Sequence, residues 1–174
     1  MIEELLPSDF DSILRVVNEA AQAYKGAIPK DRGKDPYMSP EELRREIESG
    51  VRFYGWIEDK TLLGVMGIQQ LKNTTLIRHS YVLTQHQRRG IGGRLLEHLK
   101  TLAKTPEILA GTWETATWAI RFYEKHGFQL VPRREKDMLL RRYWNIPDRQ
   151  IETSVVLRLR CGTQKPDPNE QTNN

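Results

Sequence analysis

The segment QRRGIGGR, Gln87 to Arg94, sets Gly90, Gly92 and Gly93 among Arg88, Arg89 and Arg94, between an extended run and a helical one. The first backbone N–H groups of a helix have no intrahelical acceptor, and the helix dipole adds positive potential there. Such a turn can therefore hold a phosphate or a diphosphate. Glycine lets the backbone approach an anion or take a positive φ, and arginine neutralises its charge. Two commoner phosphate loops are excluded. No GxxxxGK[ST] spacing occurs, and GxGxxG fails because Leu95 stands where its third glycine belongs. On residue types alone, a purely structural turn fits the segment as well.

The elements that must position this turn follow from periodicity. Ile13, Val16, Val17, Ala20, Ala21 and Tyr24 recur at helical spacing behind a start signal at Ser8 and Asp11, predicting a helix over residues 8–24. Ser39, Pro40 and Glu42 open a second helix that stops at Gly50. Residues 52–58 and 61–70 read as a hairpin around Asp59-Lys60, and a third strand follows Asn73 and runs to Leu83. After the turn, Ile91, Leu95, Leu96, Leu99, Leu102 and Ala103 share a helical face up to Pro106. A strand over 108–113 precedes a helical stripe of Ala119, Phe122, Tyr123 and His126 that ends at Gly127. Extended chain at 128–131, a charged helical insertion between Pro132 and Pro147, and a final strand over 150–160 complete the pattern. Helices alternating with strands make this an α/β or α+β layer protein. The expected organisation is one domain over residues 1–160 and a disordered tail over 161–174.

Composition bounds the function classes. At 174 residues, 38% of them hydrophobic, the chain can bury a core. Lys and Arg total 27 against 23 Asp and Glu, a net charge of +4. That is too mild for a nucleic-acid surface, and the basic stretch PRREKDMLLRR is better read as an amphipathic helix docked through Met138, Leu139 and Leu140. Cys161 stands alone, the N-terminus lacks a secretion-signal pattern, and no window is apolar enough to span a bilayer. A cytoplasmic protein with no membrane, nucleic-acid or metal partner is expected, and a homodimer is compatible with these features.

Two motifs carry a resemblance. YVLTQHQRRGIGGRLLEHL resembles the pyrophosphate motif of the GNAT superfamily of acyl-CoA-dependent N-acetyltransferases, [QR]-x-x-G-x-[GA], matched at Gln87, Gly90 and Gly92. ATWAIRFYEKHGFQLV is similar to the family's later motif, A-x-x-F-Y-x-x-x-G-F, matched at Ala119, Phe122, Tyr123, Gly127 and Phe128. The resemblance is sharpest from Leu76 to Val131. It implies a GNAT-like mixed, mostly antiparallel central sheet flanked by helices and splayed between the strands ending near Leu83 and Trp113.

It also implies that acetyl-CoA is the acyl donor. Val82, Leu83 and Thr84 would then bond the pantetheine arm, with Gln87, Arg88, Arg89, Gly90, Ile91, Gly92, Gly93 and Arg94 covering the pyrophosphate. Phe122 would add a contact, and Thr115 or Thr117 would replace the family's asparagine, where this chain has Ala116.

Acetyl transfer to an amine needs a neutral amine, support for an oxyanion and a proton for the thiolate. By resemblance Tyr123 is the general acid; the residue reading also allows it to be a packing partner of Phe122. Oxyanion support would come from a backbone N–H near Val82 or Leu83. Period-two alternation places Leu76, Arg78 and Ser80 on the face of Val82, none of them a base, and turns His79 to the other face. Glu114 and Glu152 are the remaining candidate bases, directly or through water. The acceptor, a small-molecule or peptide amine, would meet a wall from the segment joining the first two helices, with Tyr24, Tyr37 and Met38, and possible additions from Trp56 and Trp113. The alternative is a non-catalytic acyl-CoA-binding sensor that keeps the phosphate turn.

Overall fold

One broken ladder organises the molecule. The structure, a computed structural model, describes residues 1–162. Seven strands form a single sheet in the order β1-β2-β3-β4-β5-β7-β6. They are β1 (Ile2–Glu4), β2 (Arg52–Glu58), β3 (Thr61–Gln70), β4 (Thr75–Val82), β5 (Glu107–Trp113), β6 (Gln129–Leu130) and β7 (Ser154–Arg160). Every neighbouring pair is antiparallel except β4 and β5. Those two pair in parallel only at Thr75, Leu76 and Ile77, opposite Ile108, Leu109 and Ala110. Beyond them the strands part, although β4 runs five residues further, to Val82, and β5 to Trp113. The mixed, mostly antiparallel, splayed sheet is the one expected.

Helices α1 (Phe10–Ala20), α2 (Pro40–Glu48), α3 (Ile91–Leu102) and α4 (Thr117–Lys125) flank the sheet, and α5 (Arg133–Tyr143) and α6 (Asp148–Glu152) stand between β6 and β7. The start signal of α2 forms as a capping box: Glu42 N donates to Ser39 Oγ at 3.1 Å and Ser39 N to Glu42 Oε2 at 3.0 Å. α1 buries Ile13, Val16, Val17 and Ala20, and α3 buries Ile91, Leu95, Leu96 and Leu99, against Val65, Met66 and Ile68 of β3. Each fully buried aliphatic chain contributes roughly 2 kcal/mol. A second cluster, Leu76, Leu109 and Val156 with Leu140 of α5 and Ile151 of α6, fastens the insertion to the sheet.

Two elements differ from the periodicity. β1 is a strand only because it pairs with β2, Ile2 opposite Trp56, and Arg52 grips Glu4 in a two-pronged ion pair. Its three residues carry no pattern of their own. Residues 150–152 are helical rather than the start of the last strand. Pro147 precedes this short helix, and Thr153 Oγ1 donates back to Arg149 O at 2.9 Å. The expected tail falls outside the described residues from 163 onward, while the Cys161 N–H still bonds Pro106 O at 2.9 Å.

β4 carries a bulge. Val65 faces Tyr81 while Gly67 faces Arg78, so His79 and Ser80 together oppose Met66, and His79 adopts φ 53°. The bulge breaks strict alternation. Arg78 Nη2 and His79 Nε2 both reach Glu46 of α2, each at 2.9 Å, and His79 stacks on Phe53. His79 therefore shares a face with Arg78, against the period-two expectation, and Ser80 turns the other way. Burial alone would raise the Glu46 carboxyl, but the hydrogen bond and charge of His79 and the charge of Arg78 outweigh it and leave it below the ordinary glutamate range.

A depressed carboxyl stabilises the fold above its unfolded pKa and loses that contribution as pH falls through the folded one. Glu46→Gln is therefore expected to cost about 2 kcal/mol at neutral pH. In urea denaturation the gap between the two proteins should close between about pH 5 and about pH 3.

Candidate functional site

Where β4 and β5 part, a cavity of about 820 Å³ opens between Ser80, Tyr81 and Val82 of β4, the start of α3, the inner face of α4 and the end of α1. Its polar lining begins with the backbone. Leu83 N donates to Leu63 O at 2.9 Å, which makes Leu83 and Leu63 a hydrogen-bonded pair. Alternation then turns the N–H and C=O of Val82 away from β3, toward the gap. Gln87 Nε2 donates to that Val82 carbonyl at 3.2 Å, tying the turn to the strand end.

The turn itself is built for an anion. Residues 84–86 make a 3-10 turn, Arg88 takes φ 62° and Gly90, the N-cap of α3, φ 78°. A left-handed cap costs a residue with a Cβ about 1–2 kcal/mol, which explains a glycine at position 90. At Gly93 the matter is space. A Cβ there would stand 3.1 Å from Cε1 of His126, so the imidazole would have to shift by a few tenths of an ångström to keep α3 and α4 as close as they are. Arg94 N reaches Gly90 O at 3.0 Å, whereas the N–H groups of Arg88 through Gly93 have no acceptor among the described residues. These donors, the helix dipole, and the side chains of Arg88, Arg94 and Lys125 at the cavity wall make a positive rim. Glu97 also lines it, but bonds Lys100 and His126, each at 2.9 Å.

The far end is aromatic. Tyr123 of α4 is 5% exposed. Burial pushes its phenol up to about 12, with the Ser80 hydroxyl hydrogen-bonding it in opposition to that rise. Tyr24 lies edge-on to Tyr81, their centroids 6.1 Å apart, and against Trp118 of α4 at 5.3 Å. Tyr81 Oη donates to Tyr37 Oη at 3.1 Å. Burial raises the Tyr24 and Tyr81 phenols as well. Among the described residues, no carboxylate or imidazole lines this end.

The structure thus gathers Val82, Gln87, Arg88, Gly90, Ile91, Gly92, Gly93, Arg94, Phe122 and Tyr123 around one cavity. Leu83, Thr84, Arg89 and Thr117 stand outside it. The Leu83 side chain is in the core and its N–H is taken by Leu63, which leaves Val82 as the outward-facing N–H. Thr84 N bonds the Glu19 carboxylate at 3.0 Å. Arg89 is held on the outer surface by Glu58 at 2.9 Å and by His86 at 2.8 Å. Thr117 is exposed at the start of α4, and Thr115 Oγ1 bonds Ala27 O at 2.6 Å.

The two carboxylates considered as bases also lie elsewhere. Glu114 borders a separate hollow of about 290 Å³, and Glu152 is exposed on α6, 3.6 Å from Arg149. Trp56 sits under the Arg94 guanidinium at 5.1 Å, and Trp113 packs with Ala27, Ala116 and Ala119. Sequence reasoning missed Trp118, Lys125 and His126 as lining residues. Their helical spacing around Phe122 and Tyr123 was the available signal, since the cavity face of α4 extends that stripe in both directions.

Among the described residues no helix is long and apolar enough to cross a membrane, and no group of three His, Cys, Asp or Glu side chains could hold a metal. Residues 20–139 match the family described as Acetyltransferase (GNAT) domain. The fold is similar to that of the PaiA N-acetyltransferase of Thermoplasma acidophilum, solved in complex with coenzyme A, at 19% identity and a TM-score of 0.70, covering 92% of this chain and 98% of that one. It is similar to the ribosomal-protein-S18-alanine N-acetyltransferase of Escherichia coli at 16% identity and a TM-score of 0.68, covering 95% and 97%. N-acetylglutamate synthase of Neisseria gonorrhoeae, complexed with coenzyme A and N-acetyl-glutamate, matches at 19% identity and a TM-score of 0.63, over 92% of this chain and 34% of its own.

A phenol raised in the folded state stabilises it below the unfolded pKa, near 10, and loses that contribution as pH rises toward the folded value of about 12. Ultraviolet titration of Tyr123→Phe should accordingly lack one tyrosinate that the parent forms only near pH 12.

Proposed function

Because the chain belongs to the GNAT acetyltransferase family, we propose that this cavity binds acetyl-CoA and that the acetyl group passes directly to a primary amine within a ternary complex. The observation that carries the reading is continuity: one cavity runs from the unpaired N–H groups of Arg88 to Gly93 to the Tyr123 phenol. A diphosphate suits the first and a thioester the second. The donor supplies an activated acyl group on a thiol leaving group, and the chain supplies position and hydrogen bonds.

The N–H run, the α3 dipole, Arg88 and Arg94 hold the pyrophosphate. Val82, with its N–H and C=O turned into the gap, bonds the pantetheine arm in place of the missing β5 partner. Gly92 leaves room for the arm between the Phe122 ring and Val82, both within 3.7 Å of where its Cβ would be. Tyr123, its phenol raised by burial to about 12, is neutral at every physiological pH and keeps an O–H to donate. A phenol near 12 is a weak acid for a thiol near 8.5, so Tyr123 acts chiefly by hydrogen-bonding the sulfur as negative charge develops there. With neither carboxylate nor imidazole beside it, the amine enters in its neutral form and gives its proton to water.

Isothermal calorimetry with acetyl-CoA and a thiol-release assay over a broad amine panel test this. Tyr123→Phe should lower kcat by roughly 10²-fold while leaving acetyl-CoA affinity within about twofold. Gly90→Val should weaken acetyl-CoA binding by roughly tenfold or more. Binding without turnover of any amine would leave an acyl-CoA-binding regulatory module, and no binding would overturn both readings.

A further inference from the structure

The two ends of the cavity differ in chemistry, and the difference bears on the acceptor. Along α4, His126 abuts Gly93 and Phe122 abuts Gly92, which marks the C-terminal half of the helix as the donor end. Trp118 lies two turns earlier, about 12 Å from His126 along the helix axis at 1.5 Å per residue. Cations crowd the donor end. At the Trp118 end the wall is Tyr24, Tyr81, Trp118 and Tyr123, with the small Ala20 and Ala23 on the α1 side. Of the phenol oxygens there, that of Tyr81 is already partnered by Tyr37. Apart from the neutral hydroxyls of Tyr24 and Tyr123, what the wall offers an incoming group is ring surface.

Two consequences follow. An ammonium entering this end loses its hydration without gaining a carboxylate partner, a cost that ring faces offset only in part. With no side chain to take its proton, the amine must also arrive already neutral. At pH 7 an α-amine, with a pKa of about 7.7–8.0, is neutral roughly 10²-fold more often than a lysine-type amine near 10.4.

We infer that the acceptor is a weakly basic primary amine carried next to an aromatic or apolar group, which packs against Tyr24 and Trp118. This inference rests on the reading of the cavity as an acetyl-transfer site. Trp118 is a specificity-determining residue in it. The residue is 45% exposed, so it is available to an incoming group and removable without opening the core.

The test compares thiol release near neutral pH with phenylalanine amide, a short peptide beginning with phenylalanine, glycine amide, Nα-acetyl-lysine amide and spermidine. Phenylalanine amide or the peptide should exceed the lysine derivative and spermidine in kcat/KM by roughly tenfold to a hundredfold. Comparison of those two tells whether the amine belongs to a free molecule or a chain end. Trp118→Ala should raise KM for the phenylalanine acceptor by roughly fivefold or more, leaving KM for acetyl-CoA, KM for glycine amide and the Tm unchanged. A preference for lysine or spermidine would overturn the inference while leaving acetyl transfer intact, as would a Trp118→Ala protein impaired equally toward glycine amide. If acetyl-CoA binds by calorimetry and no amine turns over, the transfer reading itself fails, and this inference with it.

Discussion

The separation of β4 from β5 is the constraint on which the rest depends. A parallel pair that ends after Ile77 and Ala110 leaves the backbone polar groups of the remaining strand without a ladder. Buried N–H and C=O groups must find partners. Gln87 takes the Val82 carbonyl from the turn side, and the Val82 N–H opens onto the gap. The same parting sets α3 and α4 on either side of the gap, so that the N-terminus of one and a stripe of the other face a common volume.

The parting is secured from outside the cavity. β7 pairs with β5 along its whole length, from Glu107 opposite Arg160 to Trp113 opposite Ser154, holding one wall. The other wall is set by the bulge at His79, where Glu46 of α2 binds two consecutive side chains. Without the extra residue, Ser80 would lie on the face of Arg78, and Tyr123 would lose the hydroxyl beside its phenol. A positive φ at a non-glycine residue persists only where its surroundings over-determine it, and the Glu46 contact and the Phe53 stack do so here.

Charge is partitioned along the cavity with equal consistency. Glu97, which lines the cavity, is paired with Lys100 and His126, and Arg89 is drawn outward by Glu58, so Arg88, Arg94 and Lys125 set the sign at that end. At the other end, buried phenols are raised well above physiological pH and remain neutral donors. One end of the cavity is cationic and the other carries no charged side chain among the described residues.

Much of this was legible in the chain. The turn at 87–94, the α4 stripe, the capped start of α2 and the hairpin of β2 and β3 are local patterns, each fixed by residues within a few positions of one another. The anion turn in particular is a property of backbone at a helix start, which glycine spacing announces. What the tertiary structure decided is non-local. β1 is a strand only against β2, Arg89 leaves the turn only because Glu58 is beside it, and Trp118 walls the cavity because it lies on the α4 stripe that faces the gap, whereas Trp56 lies under Arg94 and Trp113 packs on Ala27, Ala116 and Ala119. Ser80 keeps the Val82 face and His79 the opposite one, but Leu76 and Arg78 leave the face that alternation shares among them, because a one-residue bulge inverts the strand before it relative to the strand after it. Nothing in a single strand's sequence marks that residue, since the bulge is held by a carboxylate more than thirty positions away.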